Sequence, residues 1–251
     1  MCLSIDCNHG LTRRGALKAA AQFTALAGLY STIPPAALLG RASAKEMEAG
    51  KPKPNAIGAD AALGHLLKGN VRHVANRLRR RDFSAGRVKR VRAQFPIAAI
   101  LSCADSRVTP EFVFDQGPGD IFVVRLAGNF VDDDGLASLE YAVKLLGTPL
   151  VMVLGHSNCG AVASAINVVE DKAELPGHLP GLVEAIKPAV EAAQAKLPKD
   201  LLAAAIKENV ALNTKRLETA QPVLSDFVQR QQVKVVGGVY DLATGKVSLL
   251  S

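Results

Sequence analysis

Three short apolar runs rich in β-branched residues, 97–102, 121–126 and 150–154, are each bounded by turn residues and separated by stretches of helical period. Strands apolar along their whole length have both faces covered, and alternation with helices is the pattern of a parallel sheet in α/β layers. The helical stretches fall at 136–146, 161–169, 182–197 and 201–227. A fourth apolar run, 233–240, is followed by Thr244-Gly245 and the run 247–250, which predicts a closing hairpin whose last strand joins an edge antiparallel. The expected fold is α/β: a mainly parallel central sheet of about four parallel strands plus an antiparallel edge strand, flanked by helices. An N-terminal helical arm precedes it from Ile57 to near Arg81, where Ala62, Leu63, Leu66, Leu67, Val71, Val74 and Leu78 recur at helical spacing.

The first 44 residues have a different character. A polar start leads to Thr12-Arg13-Arg14-Gly15-Ala16-Leu17-Lys18, then an uncharged stretch over 19–40, then Arg41-Ala42-Ser43-Ala44. That order is a signal peptide ending in a small-residue cleavage site, and its paired arginines resemble a twin-arginine export signal. The alternative, a retained anchor over 19–40, is opposed by Pro34-Pro35, Gln22 and the Ser, Thr and Gly residues that dilute it. The division expected is 1–44 signal peptide, 45–56 linker with Lys51-Pro52-Lys53-Pro54, and 57–251 folded domain, with the mature protein periplasmic and off the membrane. With 49% hydrophobic and 21% charged residues the chain is not disordered.

Arg72, Arg77, Arg79, Arg80, Arg81, Arg87, Lys89, Arg90 and Arg92 crowd the helical arm and the segment after it. No aromatic interleaving or nucleic-acid motif accompanies them, so they read as a solvated face, with acids of another subunit as candidate partners, and nucleic acid is not expected.

Cys2 and Cys7 leave with the signal, so the mature chain keeps Cys103 and Cys159, which in an oxidising compartment must be a disulfide, buried, or on a metal. Cys103-Ala104-Asp105-Ser106-Arg107 directly follows one strand, and His156-Ser157-Asn158-Cys159-Gly160 follows another, so two loops at carboxyl strand ends can converge on one crevice. Two thiolates and one imidazole suit zinc and leave a fourth position open. Spacing alone leaves the inert pair and the disulfide as alternatives.

The C-x-D-S-R and H-x-x-C-G motifs, with Pro110-Glu111, Gly119-Asp120 to Arg125, Ala127-Gly128-Asn129 and Ser138-Leu139-Glu140-Tyr141, resemble β-class carbonic anhydrases from about Gly69-Asn70 to the terminal hairpin. The resemblance implies reversible hydration of carbon dioxide to bicarbonate and a proton, with one Zn2+ per chain on Cys103, His156 and Cys159. It implies Asp105 and Arg107 as the catalytic dyad, Gln94 as a substrate contact from across a subunit interface, and Gly160 as a backbone donor to bicarbonate. It further implies a homodimer or a tetramer of dimers, and a site that Asp105 can close by binding the metal itself. A zinc hydrolase acting on carbon disulfide or carbonyl sulfide and a non-catalytic zinc scaffold are the alternatives. Thiolate donation makes a metal-bound water less acidic than three histidines would, so activity is expected to rise toward alkaline pH.

Overall fold

A computed structural model describes residues 56–250; the expected signal peptide and nearly all of the expected linker lie outside the described residues. The helical arm is α1 (Ala59–Val74), followed by α2 (Arg87–Arg92). Then come β1 (Ala98–Ser102), α3 (Pro110–Val113), β2 (Ile121–Arg125), α4 (Asp133–Lys144) and β3 (Leu150–His156). The chain continues through α5 (Gly160–Asp171), α6 (Leu179–Gln194), α7 (Leu201–Thr219), α8 (Leu224–Gln229), β4 (Lys234–Tyr240) and β5 (Val247–Leu249).

The five strands lie in the order β2-β1-β3-β4-β5, with four parallel and β5 antiparallel to β4 at one edge. Every residue of β1 and β3 is buried, as their unbroken apolar runs require. Side chains alternate between faces. Ala98, Ile100, Leu150, Met152 and Leu154 pack with Ala62 and Leu66 of α1, while Ala99, Leu101, Val151 and Val153 pack with Leu139 of α4 and with Val210 and Leu217 of α7. Two glycines seat α7 on the sheet. A Cβ on Gly155 would stand 2.5 Å from a Val210 methyl, and one on Gly237 2.8 Å from the other.

The structure corrects two expectations. The arm ends at Val74 rather than near Arg81, because Asn76 turns into the left-handed region (φ 51) and the residues after it cross to Asp115. Arg72 and Arg81 both pair with that carboxylate, whose side chain is 0% exposed, and the Arg79 N–H donates to it at 3.2 Å. Part of the basic face is therefore used inside the chain instead of standing in solvent. Asn70 adds a second tie: its amide donates to the carbonyls of Val113 and Gly245 and accepts from the Val247 N–H. Gly69 lets the arm approach, since a Cβ there would fall 1.7 Å from the Phe114 carbonyl oxygen. Asn70 and Gly69 thus fasten α1 to α3 and the terminal hairpin.

The second correction concerns the helical stretch 201–227, which is two helices. Pro222 has no N–H to continue α7, and Ala220 is already extended (φ −67, ψ 109), so α8 starts afresh at Leu224. No described helix is long and apolar enough to cross a membrane.

Candidate metal centre

β1 and β3 are neighbours in parallel register, with Ser102 beside Leu154, so the loops leaving their carboxyl ends start side by side at the middle of the sheet. Cys103 is the first residue past β1, His156 ends β3, and Cys159 caps the amino end of α5. Their ligand-type atoms all lie within 4.8 Å of one another, and the three residues are 3%, 0% and 2% exposed. The two sulfurs are 4.0 Å apart, about twice the length of a disulfide bond, and both thiols are free.

His156 Nδ1 lies 2.9 Å from the Ser157 carbonyl, a contact that only an Nδ1–H can make. Nε2 is left as a lone pair, fully buried and without a hydrogen-bond partner among the described residues. A buried, unsatisfied imidazole nitrogen facing two thiols is the arrangement a metal completes. Ser157 is itself anchored, donating its N–H to the Tyr240 carbonyl and accepting the Leu242 N–H at Oγ.

Charge at the sulfurs points the same way. The two sulfurs share a hydrogen bond, and this contact with Cys159, against the penalty of burial, does most to bring Cys103 down to about 4, with His156 and the N–H groups of Gly128 and Asp105 adding to it. Cys159 goes up, through the same hydrogen bond with Cys103 and because it is buried. Burial pushes His156 down, but the negative charge at the adjacent Cys103 outweighs that and raises it. One proton shared by two sulfurs is what a thiophilic divalent cation displaces.

Asp105 and Arg107 form a two-pronged pair, with Nε to Oδ1 at 2.9 Å and Nη2 to Oδ2 at 2.6 Å, and the Arg107 N–H also donates to Oδ1. These bonds hold the Asp105 carboxyl well below the usual carboxylate range, against the cost of burial. Asp105 Oδ2 stands 3.8 Å from His156 Nε2, beside the three ligand-type atoms. Arg107 Nη2 also reaches the Asn158 carbonyl at 3.3 Å, linking the two loops.

Gln94 is exposed and lies before the amino end of β1, while Cys103 follows the carboxyl end. The five residues of β1 alone separate them by roughly 15 Å, so Gln94 can serve such a site only in another subunit. Gly160 opens α5, exposed, with open space where a Cβ would be.

Several residues that hold the site carry no role in the sequence reading. Arg125 donates to the carbonyls of Cys103 and Asp105 at 3.1 and 2.7 Å. The Gly128 N–H donates to Cys103 Sγ at 3.2 Å, and Asn209 of α7 donates to the Gly128 carbonyl at 2.7 Å. The readable signal was a pair of asparagines, Asn209 and Asn213, one turn apart on the otherwise apolar face of α7 that carries Ile206, Val210 and Leu217.

A sheet whose central strands deliver two cysteines and a histidine to one buried point, beside an arginine-clamped aspartate, defines a metalloenzyme of the α/β class. The carbonic anhydrase family model matches residues 98–247. A carbonic anhydrase of Mycolicibacterium smegmatis is 37% identical over 196 residues, 76% of this chain and 93% of the relative. One from Pseudomonas aeruginosa is 34% identical over 168 residues, 62% of this chain and 74% of the relative. Among solved structures, the Coccomyxa β-carbonic anhydrase in complex with acetazolamide superposes with a TM-score of 0.61 at 30% identity, covering 66% of this chain and 77% of that one. The chain belongs to the carbonic anhydrase family, in its β class, the zinc enzymes that hydrate carbon dioxide reversibly.

Proposed function

We propose that Cys103, His156 and Cys159 hold the zinc of this carbonic anhydrase, and that Asp105 and Arg107 are its catalytic dyad. The observation that carries the ligand assignment is the buried, unpartnered Nε2 of His156 facing two free thiols. When bound, zinc supplies a Lewis acid that makes water acidic enough to attack carbon dioxide near neutral pH. The protein does the rest. Asp105, kept ionised by the Arg107 clamp, accepts a hydrogen bond at Oδ2 and so orients the attacking water. Both of its oxygens are engaged by Arg107, which favours a carboxylate standing beside the metal over one that closes the site. Gly160 offers its N–H, at the start of α5, to an oxygen of bicarbonate.

The assembly is a homodimer or a tetramer of dimers, in which Gln94 of one subunit donates to substrate in the next. The open edge of β2 and the exposed Val71, Val88 and Val91 of α1 and α2 are surfaces that support a partner. Residues 1–44 are a twin-arginine signal and the mature enzyme works in the periplasm, a reading supported by the Arg13-Arg14 pair, the uncharged segment and Ala42-Ser43-Ala44. Cell fractionation of the full chain tests it: periplasmic enzyme is expected, and an Arg13→Lys, Arg14→Lys variant should remain in the cytoplasm.

Stopped-flow carbon dioxide hydration by residues 45–251, with zinc measured on the same sample, tests the catalytic assignment. Zinc near one per chain, activity lost on chelation and inhibition by acetazolamide are expected. Stoichiometric zinc without hydration would refute the assigned chemistry, and a chain that takes up no zinc would refute the ligand set.

A further inference from the structure

Gly128 carries the N–H that lies 3.2 Å from Cys103 Sγ, yet nothing in its own chemistry fixes it there. It is a left-handed glycine (φ 82), the residue type with the most backbone freedom. A side chain at this position is barred, since a Cβ would stand 2.5 Å from Ile186 Cδ1 and 3.2 Å from Ala161 Cβ. What pins it is the Asn209 amide, 1% exposed, donating to its carbonyl at 2.7 Å.

The orientation of that amide is forced. Asn213 must turn Oδ1 to the Val131 N–H, 2.9 Å away, which leaves its Nδ2 toward Asn209. Asn213 Nδ2 donates to Asn209 Oδ1 at 3.1 Å and to the Asn209 carbonyl at 2.8 Å. Asn209 therefore has its oxygen occupied and can present only N–H groups to Gly128. Every donor in the row is directed, and the row ends on the carbonyl of the residue whose own N–H, one peptide earlier, meets the sulfur.

We infer that Asn209, oriented by Asn213, is a positioning residue of the metal centre: it holds Gly128 so that its N–H stays on the Cys103 sulfur and tempers the charge that sulfur gives the metal. The inference rests on Cys103 being a metal ligand. Hydrogen bonds to a ligating group tune both affinity and electron donation, and losing such a partner costs about 10–100-fold in metal affinity.

The cobalt(II)-substituted mature protein tests it through its sulfur-to-cobalt absorption band, beside zinc affinity by competition with a chelator. In Asn209→Asp the group facing the Gly128 carbonyl no longer donates. The band should move to lower energy, and zinc affinity should fall about 10–100-fold. Asn213→Asp, which frees the Asn209 amide to turn, should give a smaller shift in the same direction and carries the test if the first variant does not fold. Leu217→Ala, on the same helix but in the opposite cluster, should lower the melting temperature and leave the band in place. An unshifted band and unchanged affinity in both asparagine variants would reduce the pair to a packing role and overturn the inference alone. Absence of any sulfur-to-cobalt band in the parent protein would overturn the ligand assignment beneath it.

Discussion

Asp105 is held by three hydrogen bonds from one arginine, so its role separates cleanly from its structural surroundings. Asp105→Asn keeps the shape and removes the negative charge and the hydrogen-bond acceptor proposed to orient the attacking water. Carbon dioxide hydration should fall about 10²–10⁴-fold while zinc content stays at the parental value, read by stopped-flow kinetics and metal analysis together. Loss of zinc in that variant would mean that the carboxylate holds the metal and does not merely stand beside it. These residues were legible because each chemical group sits next to a strand end in the sequence itself: Cys103 after one apolar run, His156 and Cys159 after another. The support around them was not. Asn209 lies 81 positions from Gly128, and only the packing of α7 over the sheet brings the two together. Arg125 ends β2 and closes a stretch that carries the family resemblance, but its bonds to two carbonyls of the neighbouring loop depend on β1 and β2 being paired.

Among the elements, α1 is attached by a buried charge. Burial opposes ionisation of Asp115, but hydrogen bonds from Arg81 and Arg72 more than compensate and hold its pKa below the ordinary value. A depressed carboxylate pKa adds stability above its unfolded value of about 3.9, and that stability is lost as pH falls through the folded pKa. Asp115→Asn should therefore cost about 3 kcal/mol near neutrality, and the gap between variant and parent in chemical denaturation should narrow below about pH 4. A gap independent of pH would mean that shape, not charge, holds the arm. The seat of α7 gives a second test at this scale. Gly155→Ala drives a methyl into Val210, for a loss of about 1–3 kcal/mol by overpacking, and Gly155→Ala with Val210→Ala should recover part of it in thermal melts. Helical period showed the stretch 201–227 correctly as apolar and periodic but could not show the break, because residues on both sides of Pro222 face the same core cluster through Leu217, Leu224 and Phe227.

Across the whole molecule, the two apolar central strands made the architecture readable: parallel order, two covered faces and the antiparallel last strand all came from where the runs began and stopped. The order β2-β1-β3-β4-β5 was less accessible, since it depends on which strands pair and not on their composition. The assembled centre joins residues from the outgoing ends of β1 and β3, so a metal there would add its binding free energy to the pairing of the two innermost strands. Chelation should lower the melting temperature, and hydrogen exchange should quicken first in the Cys103 and His156 loops. Equal protection with and without metal would sever that link. The register of Ser102 with Leu154 also has a consequence in time. No partial chain ending before Cys159 contains all three proposed ligands, and the β1–β3 pair cannot close until the crossover between them has been made. A metal held by these three residues would therefore bind only after β3 and the start of α5 have been made, and never to the β1 loop alone.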